Sequence, residues 1–311
     1  MTEESRMDSA TIAAADHASR HWTSPDPRPI APGDERHKTM LSRVMLDTFN
    51  PYKPAVIAWP RLDPEARQRL IALPIWDIAV QTEGRARLRV LSYARTVGDK
   101  LLRDAFELMG FEEGRHKEVL SHLVAFYGIE LEPEPEYIEP RDPEWAFMVT
   151  GYSECIDSFF AFGLFELARR SGFFPEALVE TFEPVIQEEG RHILFFTNWI
   201  AWHRRRMPLW RRPWFLLKTL AVWSFLIRER IGLARDVSGG KQDANFAMSG
   251  SAAFSAGEID TAELMRICLA ENDRRMAGYD PRLLRPTTMP ALTRIALWFM
   301  PRRRRPAAQA A

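Results

Sequence analysis

The five residues Glu-Glu-Gly-Arg-His occur twice, at 112–116 and at 188–192. Each copy holds a Glu-x-x-His step, Glu113 with His116 and Glu189 with His192. Residues i and i+3 share a helix face, so a carboxylate and an imidazole can reach one metal centre. A carboxylate-rich set with an imidazole suits iron or manganese better than thiolate-loving metals. One such step is equally a surface charge pair. Two identical copies on two predicted helices point to a shared centre.

Proline and glycine mark the elements that must position these steps. A short helix, "PEARQRLIAL", ends at Pro74, and a long helical pattern runs from about Ile75 to Val97. Gly98-Asp99 reads as a turn and N-cap, followed by a helix from about Lys100 to Tyr127. Residues 128–142 carry Pro133, Pro135 and Pro140, which forbid a helix and predict an extended crossover. Asp142-Pro143 caps a third helix to about Arg170. A fourth follows Gly172, from about Pro175 to Arg206, with Pro184 an expected kink. Helix, helix, long crossover, helix, helix is the plan of an all-α four-helix bundle with one crossover.

That plan requires one more inward carboxylate on each partner helix. Glu83 precedes Glu113 by 30 residues with Gly98 midway, and Glu154 precedes Glu189 by 35 with Gly172 near the middle. At about 1.5 Å of rise per residue, equal arms return each pair to one height. Apolar stripes flank the acids: Phe106, Met109, Leu120 and Val124 around Glu113, and Phe182, Val185, Phe196 and Ile200 around Glu189. Four carboxylates in apolar surroundings cannot stay charged and unpaired. Two divalent ions would balance them. The competing arrangement pairs them with Arg85, Arg87, Arg115 and Arg191 on solvated faces. Arg115 and Arg191, two residues past their glutamates, are expected to point off the metal face. Gly84, Gly114 and Gly190 each directly follow one of these glutamates. Since mid-helix glycine costs about 1 kcal/mol against alanine, close helix approach or a local bulge is expected there.

On Glu83, Glu154 and the two EEGRH copies, residues 75–206 resemble the ferritin-like di-metal carboxylate superfamily of di-iron oxidases and oxygenases. The resemblance implies a ferritin-like bundle holding two Fe ions, with Mn/Fe or Mn/Mn as alternatives. It implies Glu113 and Glu189 as bridging ligands, Glu83 and Glu154 as terminal ligands, and His116 and His192 on one ion each. It implies O2 activation at the centre, oxidation of a bound substrate, and a separate electron donor, since no flavin, nicotinamide or iron–sulfur motif is present. Asp157, three residues past Glu154, reads as an outer support for a ligand histidine, as an alternative ligand, or as a partner of some other group. Arg87, four past Glu83, is a second candidate for an outer contact. His17, His21 and His37 fall in the predicted tail, His122 points to another face than His116, and His203 sits in an exposed basic run. Tyr93 lies too far from Glu83 for a radical role.

The rest of the chain bounds the function. Lys+Arg and Asp+Glu both total 42, so no global field argues for nucleic acid. Cys155 and Cys268 form no CxxC, which excludes a rubredoxin-like site, and Cys155 reads as a buried thiol. The start of the chain has neither the apolar core of a secretory signal nor the character of a transit peptide. A cytoplasmic protein is expected, peripheral to the inner face of a membrane in one reading. Residues 1–36 read as a disordered tail, 37–74 as a leading helical segment, and 207–311 as a helical extension with a flexible loop at 236–257 and a basic tail. Segments 208–230 and 289–305 join Trp and apolar bulk to Arg. They would suit an anionic membrane surface or pack as outer helices. Phe-rich stretches at 159–165 and 195–196 favour an apolar or lipid-like substrate. The expectation is a di-iron oxidase or oxygenase. A ferroxidase or peroxide scavenger, or a non-catalytic membrane-associated helical scaffold, is the alternative.

Overall fold

A computed structural model of the chain describes residues 9–54, 57–237 and 260–300. Among the described residues the protein is all-helical, with no strand. The helices are α1 Ser9–Arg20, α2 Glu35–Asp47, α3 Pro64–Ile71, α4 Trp76–Ala94 and α5 Lys100–Tyr127. They continue as α6 Pro143–Ser171, α7 Glu176–Arg206, α8 Arg212–Val237, α9 Thr261–Met276 and α10 Thr288–Phe299. The expected loop and basic tail fall largely at 238–259 and 301–311, outside the described residues.

Local chemistry sets the boundaries. The Asp99 carboxylate accepts the Leu102 amide at 3.0 Å, and Asp142 accepts Trp145 at 2.9 Å with Pro143 in the first turn. These caps satisfy amides that a helix start leaves open. Gly128 and Gly172 close α5 and α6 in the left-handed region, φ 69° and 63°, where a side chain would be strained. The crossover runs along α4. Glu132 donates its amide to Asp77, Tyr137 lies against Gly84, and Glu139 accepts from Ser92. The crossover thus covers the flank of α4 while carrying the chain to the start of α6.

Helix α4 packs on α5 and α6, and α6 packs on α7. Helix α2 lies across α5 and α7, α9 lies on α6 and α7, and α8 lies on α6. An aromatic core of Tyr93, Phe106, Phe147, Phe196 and Trp199 fills one end of the four long helices. A second core of Leu70, Trp76, Leu123, Tyr127 and Leu178 fills the other. Between them lies the polar belt.

Several of these expectations need correction. Residues 9–36 are not a disordered tail: α1 is held by Arg20, which pairs with Glu183 at 3.0 Å, and by the Trp22 amide on the Gly278 carbonyl. His37 is fully buried and bonds Asn198 at 3.0 Å. His203 is half-buried, stacked on Trp199 and 2.7 Å from Glu144. The helices continue through Pro184 and through Gly84, Gly114 and Gly190 without a bulge. Close approach accounts for two of those glycines. A Cβ at Gly84 would meet Tyr137 at 2.6 Å and one at Gly114 would meet Arg87 at 3.1 Å, whereas Gly190 has nothing nearer than 3.8 Å.

Candidate metal centre

The two EEGRH copies face each other from α5 and α7. Donor atoms of Glu113, His116, Glu189 and His192 lie within 4.8 Å of one another, a group that can hold a metal ion. His116 Nδ1 is 3.1 Å from Glu189, and His192 Nδ1 is 2.9 Å from Glu113. These approaches lack hydrogen-bond geometry, because both Nδ1 atoms and Glu113 Oε1 are buried without hydrogen-bond partners. Glu83 approaches His116 Nδ1 at 3.7 Å from α4. Glu154, from α6, has both carboxylate oxygens buried without a hydrogen-bond partner. All six residues singled out by spacing therefore sit in one belt.

The electrostatics describe a site short of cations. Burial pushes the Glu83 carboxyl up to about 8, with Glu113 and Glu189 adding repulsion. Burial, then the Glu113 and Glu189 charges, lift Glu154 well above the carboxylate range. His116 and His192 are raised well above their ordinary value: burial opposes this, and the surrounding glutamates outweigh it. Acids that take up protons beside imidazoles that keep theirs are holding protons where divalent ions would place charge. The orphaned donors and their oxygen–nitrogen chemistry fit iron or manganese.

The remaining letters of the repeat form the support. His192 Nε2–H donates to Glu112 at 2.9 Å, and His116 Nε2–H donates to Glu188 at 2.8 Å. Each histidine is thereby held by the first glutamate of the opposite copy, with Nδ1 turned to the centre, the arrangement that fixes tautomer and orientation in metal sites. Arg191 binds Glu112 at 2.8 Å, and Arg115 binds Glu188. Both arginines are buried, 3% exposed for Arg115 and 1% for Arg191, so the competing arrangement of solvated pairs is not formed at these two residues. Glu112 and Glu188 were the residues that metal-ligand logic passed over. The signal was there: all five letters repeat, although ligation needs only two.

Two proposed outer contacts lie elsewhere. Asp157 pairs with Arg230 at 2.9 Å and accepts from Ser153. Arg87 is exposed on α4 over Gly114. Ser158 instead donates to Glu189 at 3.2 Å, and the Tyr52 hydroxyl donates to Glu188 at 3.0 Å. Cys155 is half-buried, and burial pushes its thiol up.

A cavity of about 660 Å³ opens from the belt along the groove between α4 and α6. Toward the start of α4 its wall is apolar, with Leu73, Trp76, Ala161, Leu164, Phe165 and Phe182. Of the phenylalanines in the Phe-rich stretches, Phe165 lines the cavity, whereas Phe159, Phe162, Phe195 and Phe196 are buried core. Toward the end of α4 the wall turns polar, with Arg85, Arg89, Thr150, Ser153 and Arg228.

On the outer surface, Trp210, Trp214, Leu217, Trp298 and Phe299 are exposed. Among the described residues no helix is long and apolar enough to cross a membrane. No family model, no curated protein and no solved structure matches the chain.

Proposed function

We propose that the chain is a ferritin-like di-iron oxidase or oxygenase, in which α4 to α7 form the metal-bearing four-helix bundle. One observation carries the reading: buried donors without hydrogen-bond partners on Glu113, His116, Glu154 and His192 surround a centre that opens on a largely apolar cavity. Glu83, Glu113, His116, Glu154, Glu189 and His192 would hold the metal. When bound, two iron ions would supply the reduction of O2 that oxidises an apolar substrate, with electrons from a separate donor.

The chain's own residues do the rest. Glu112 and Glu188 hold the Nε2 protons of His192 and His116, keeping Nδ1 available as a donor. Arg191 and Arg115 balance those two carboxylates, which would otherwise be costly to bury. Ser158 orients Glu189. The wall of Leu73, Trp76, Leu164, Phe165 and Phe182 excludes water from the reacting face. A cavity of this size is more than a ferroxidase needs, and it favours an organic substrate over the alternatives.

Metal analysis of protein purified without added metal tests the reading. Two iron or manganese per chain, on the order expected for such bundles, should be lost in Glu113→Ala and in Glu189→Ala. No metal after anaerobic iron loading, with both variants folded, would leave a scaffold. The exposed Trp210, Trp214 and Trp298, with Arg211 lying over the Trp210 ring, support contact with an anionic membrane surface. Co-sedimentation with phosphatidylserine vesicles should fall in a Trp214→Ser/Leu217→Ser variant. Equal pelleting of variant and parent would remove membrane contact from the proposal.

A further inference from the structure

The cavity has two unlike ends and the candidate metal belt between them. Along α4 the apolar end begins at Trp76, the belt lies at Glu83, and the polar end lies at Arg89. With about 1.5 Å of rise per residue, Arg89 stands about 9 Å from the belt on one side and Trp76 about 10 Å on the other. Arg89 is half-buried and lines the cavity. Among the described residues no carboxylate lies within ion-pair distance of it. Arg85 and Arg228 line the same end, against Glu229, and Arg230 is already occupied by Asp157. The polar end therefore carries an excess of positive charge. A guanidinium that lines a cavity without a carboxylate partner is suited to receive a planar or tetrahedral oxyanion.

We propose that this cavity binds a long-chain amphiphile with an oxyanion head, a carboxylate or a phosphate, and that Arg89 receives the head. The chain then runs past Glu83 and Glu154 into the chamber of Trp76, Leu164 and Phe182. A mid-chain methylene lies beside the metal ligands, while the head and the chain end stay clear of them. What becomes of that methylene rests on the oxidase reading; binding of the amphiphile does not.

The experiment measures binding to the full-length, iron-loaded protein by equilibrium dialysis of palmitate, hexadecyl phosphate and hexadecanol. Palmitate or hexadecyl phosphate, whichever head is the native one, should bind more tightly than the alcohol. Arg89→Gln should weaken that ligand roughly 10-fold or more, the scale of a charge-assisted hydrogen bond, and leave hexadecanol binding and iron content unchanged. Arg89→Lys should recover part of the loss. Ala161→Phe, which fills the apolar end, should weaken palmitate more than octanoate. Equal binding of acid, phosphate and alcohol, with no effect of Arg89→Gln, overturns the head assignment. Failure of all three to bind iron-loaded protein overturns the substrate class while leaving the di-iron reading intact. Selective binding by a protein that takes up no iron would sustain this proposal and sink the oxidase.

Discussion

The two EEGRH copies are identical in sequence and differ in what surrounds them. In one half, Glu112 is fully buried and receives Arg191 and His192. Arg191 in turn donates to Thr48 Oγ1 at 2.7 Å and to the Met45 carbonyl at 2.6 Å. In the other half, Glu188 receives Arg115, His116 and the Tyr52 hydroxyl. Arg115 also stacks over the Tyr52 ring at 3.9 Å, donates to the Asn50 carbonyl and stands 3.6 Å from Glu112. Helix α2 and the segment after it supply both sets of contacts. The repeat fixes which atoms meet the centre, and its non-repeated surroundings decide how each half is braced.

That difference predicts unequal mutants. Glu112→Ala strands Arg191 in the interior with no other carboxylate among the described residues at ion-pair distance. The expected cost is about 3–5 kcal/mol, with about 10–100-fold weaker metal binding through the unsupported His192. Glu188→Ala should cost less stability, since Arg115 keeps Glu112 nearby. Urea unfolding and metal titration of the two variants measure the gap, and equal losses would erase the asymmetry. Acid provides a second reading. Burial works against Glu112 ionisation, yet Arg191 and His192 hold its carboxyl down to about 2 from 4.5. Its stabilisation is present above the ordinary value and lost as pH falls toward 2. The metal-free parent and Glu112→Ala should therefore converge in stability over that window.

Tyr52→Phe removes one hydrogen bond from the Glu188 half alone, at about 0.5–1.5 kcal/mol. Urea unfolding should show that loss undiminished in Thr48→Val, since the two residues brace different halves. Strong coupling between the two substitutions would mean the halves act as one unit. The smallest effect sits at the repeat's glycines. Gly190→Ala has room and should gain up to about 1 kcal/mol of helix stability. Gly114→Ala must displace Arg87 and should gain less or lose. A thermal scan that ranks them the other way would put the tighter half on the wrong side.

The elements and the gathering of the six candidate residues were legible because they rest on local signals: Asp-Pro caps, a proline-rich crossover, and acids at equal distances from two turns. The support was not legible, because it rests on partners far away in the chain. Glu112 and Arg191 are 79 residues apart, and His37 and Asn198 are 161 apart. A buried arginine or histidine looks in sequence like a surface one until its partner is known. The same holds for α1, whose anchors lie on α7 and after α9. Phenylalanine runs could not say which rings line a cavity, as Phe165 does, and which fill a core, as Phe159, Phe162, Phe195 and Phe196 do.

The clasp between α1 and the turn after α9 sets an order of events during synthesis. The Tyr279 hydroxyl donates to the Ser19 carbonyl and Gln187 donates to Tyr279, so α1, α7 and the turn after α9 close on one another behind the belt. These contacts span up to 260 residues, and such closures form late. A ribosome delivers Glu83 through His192 before Tyr279 exists. The six candidate ligands can therefore gather, and meet metal, while the back of α7 is still open.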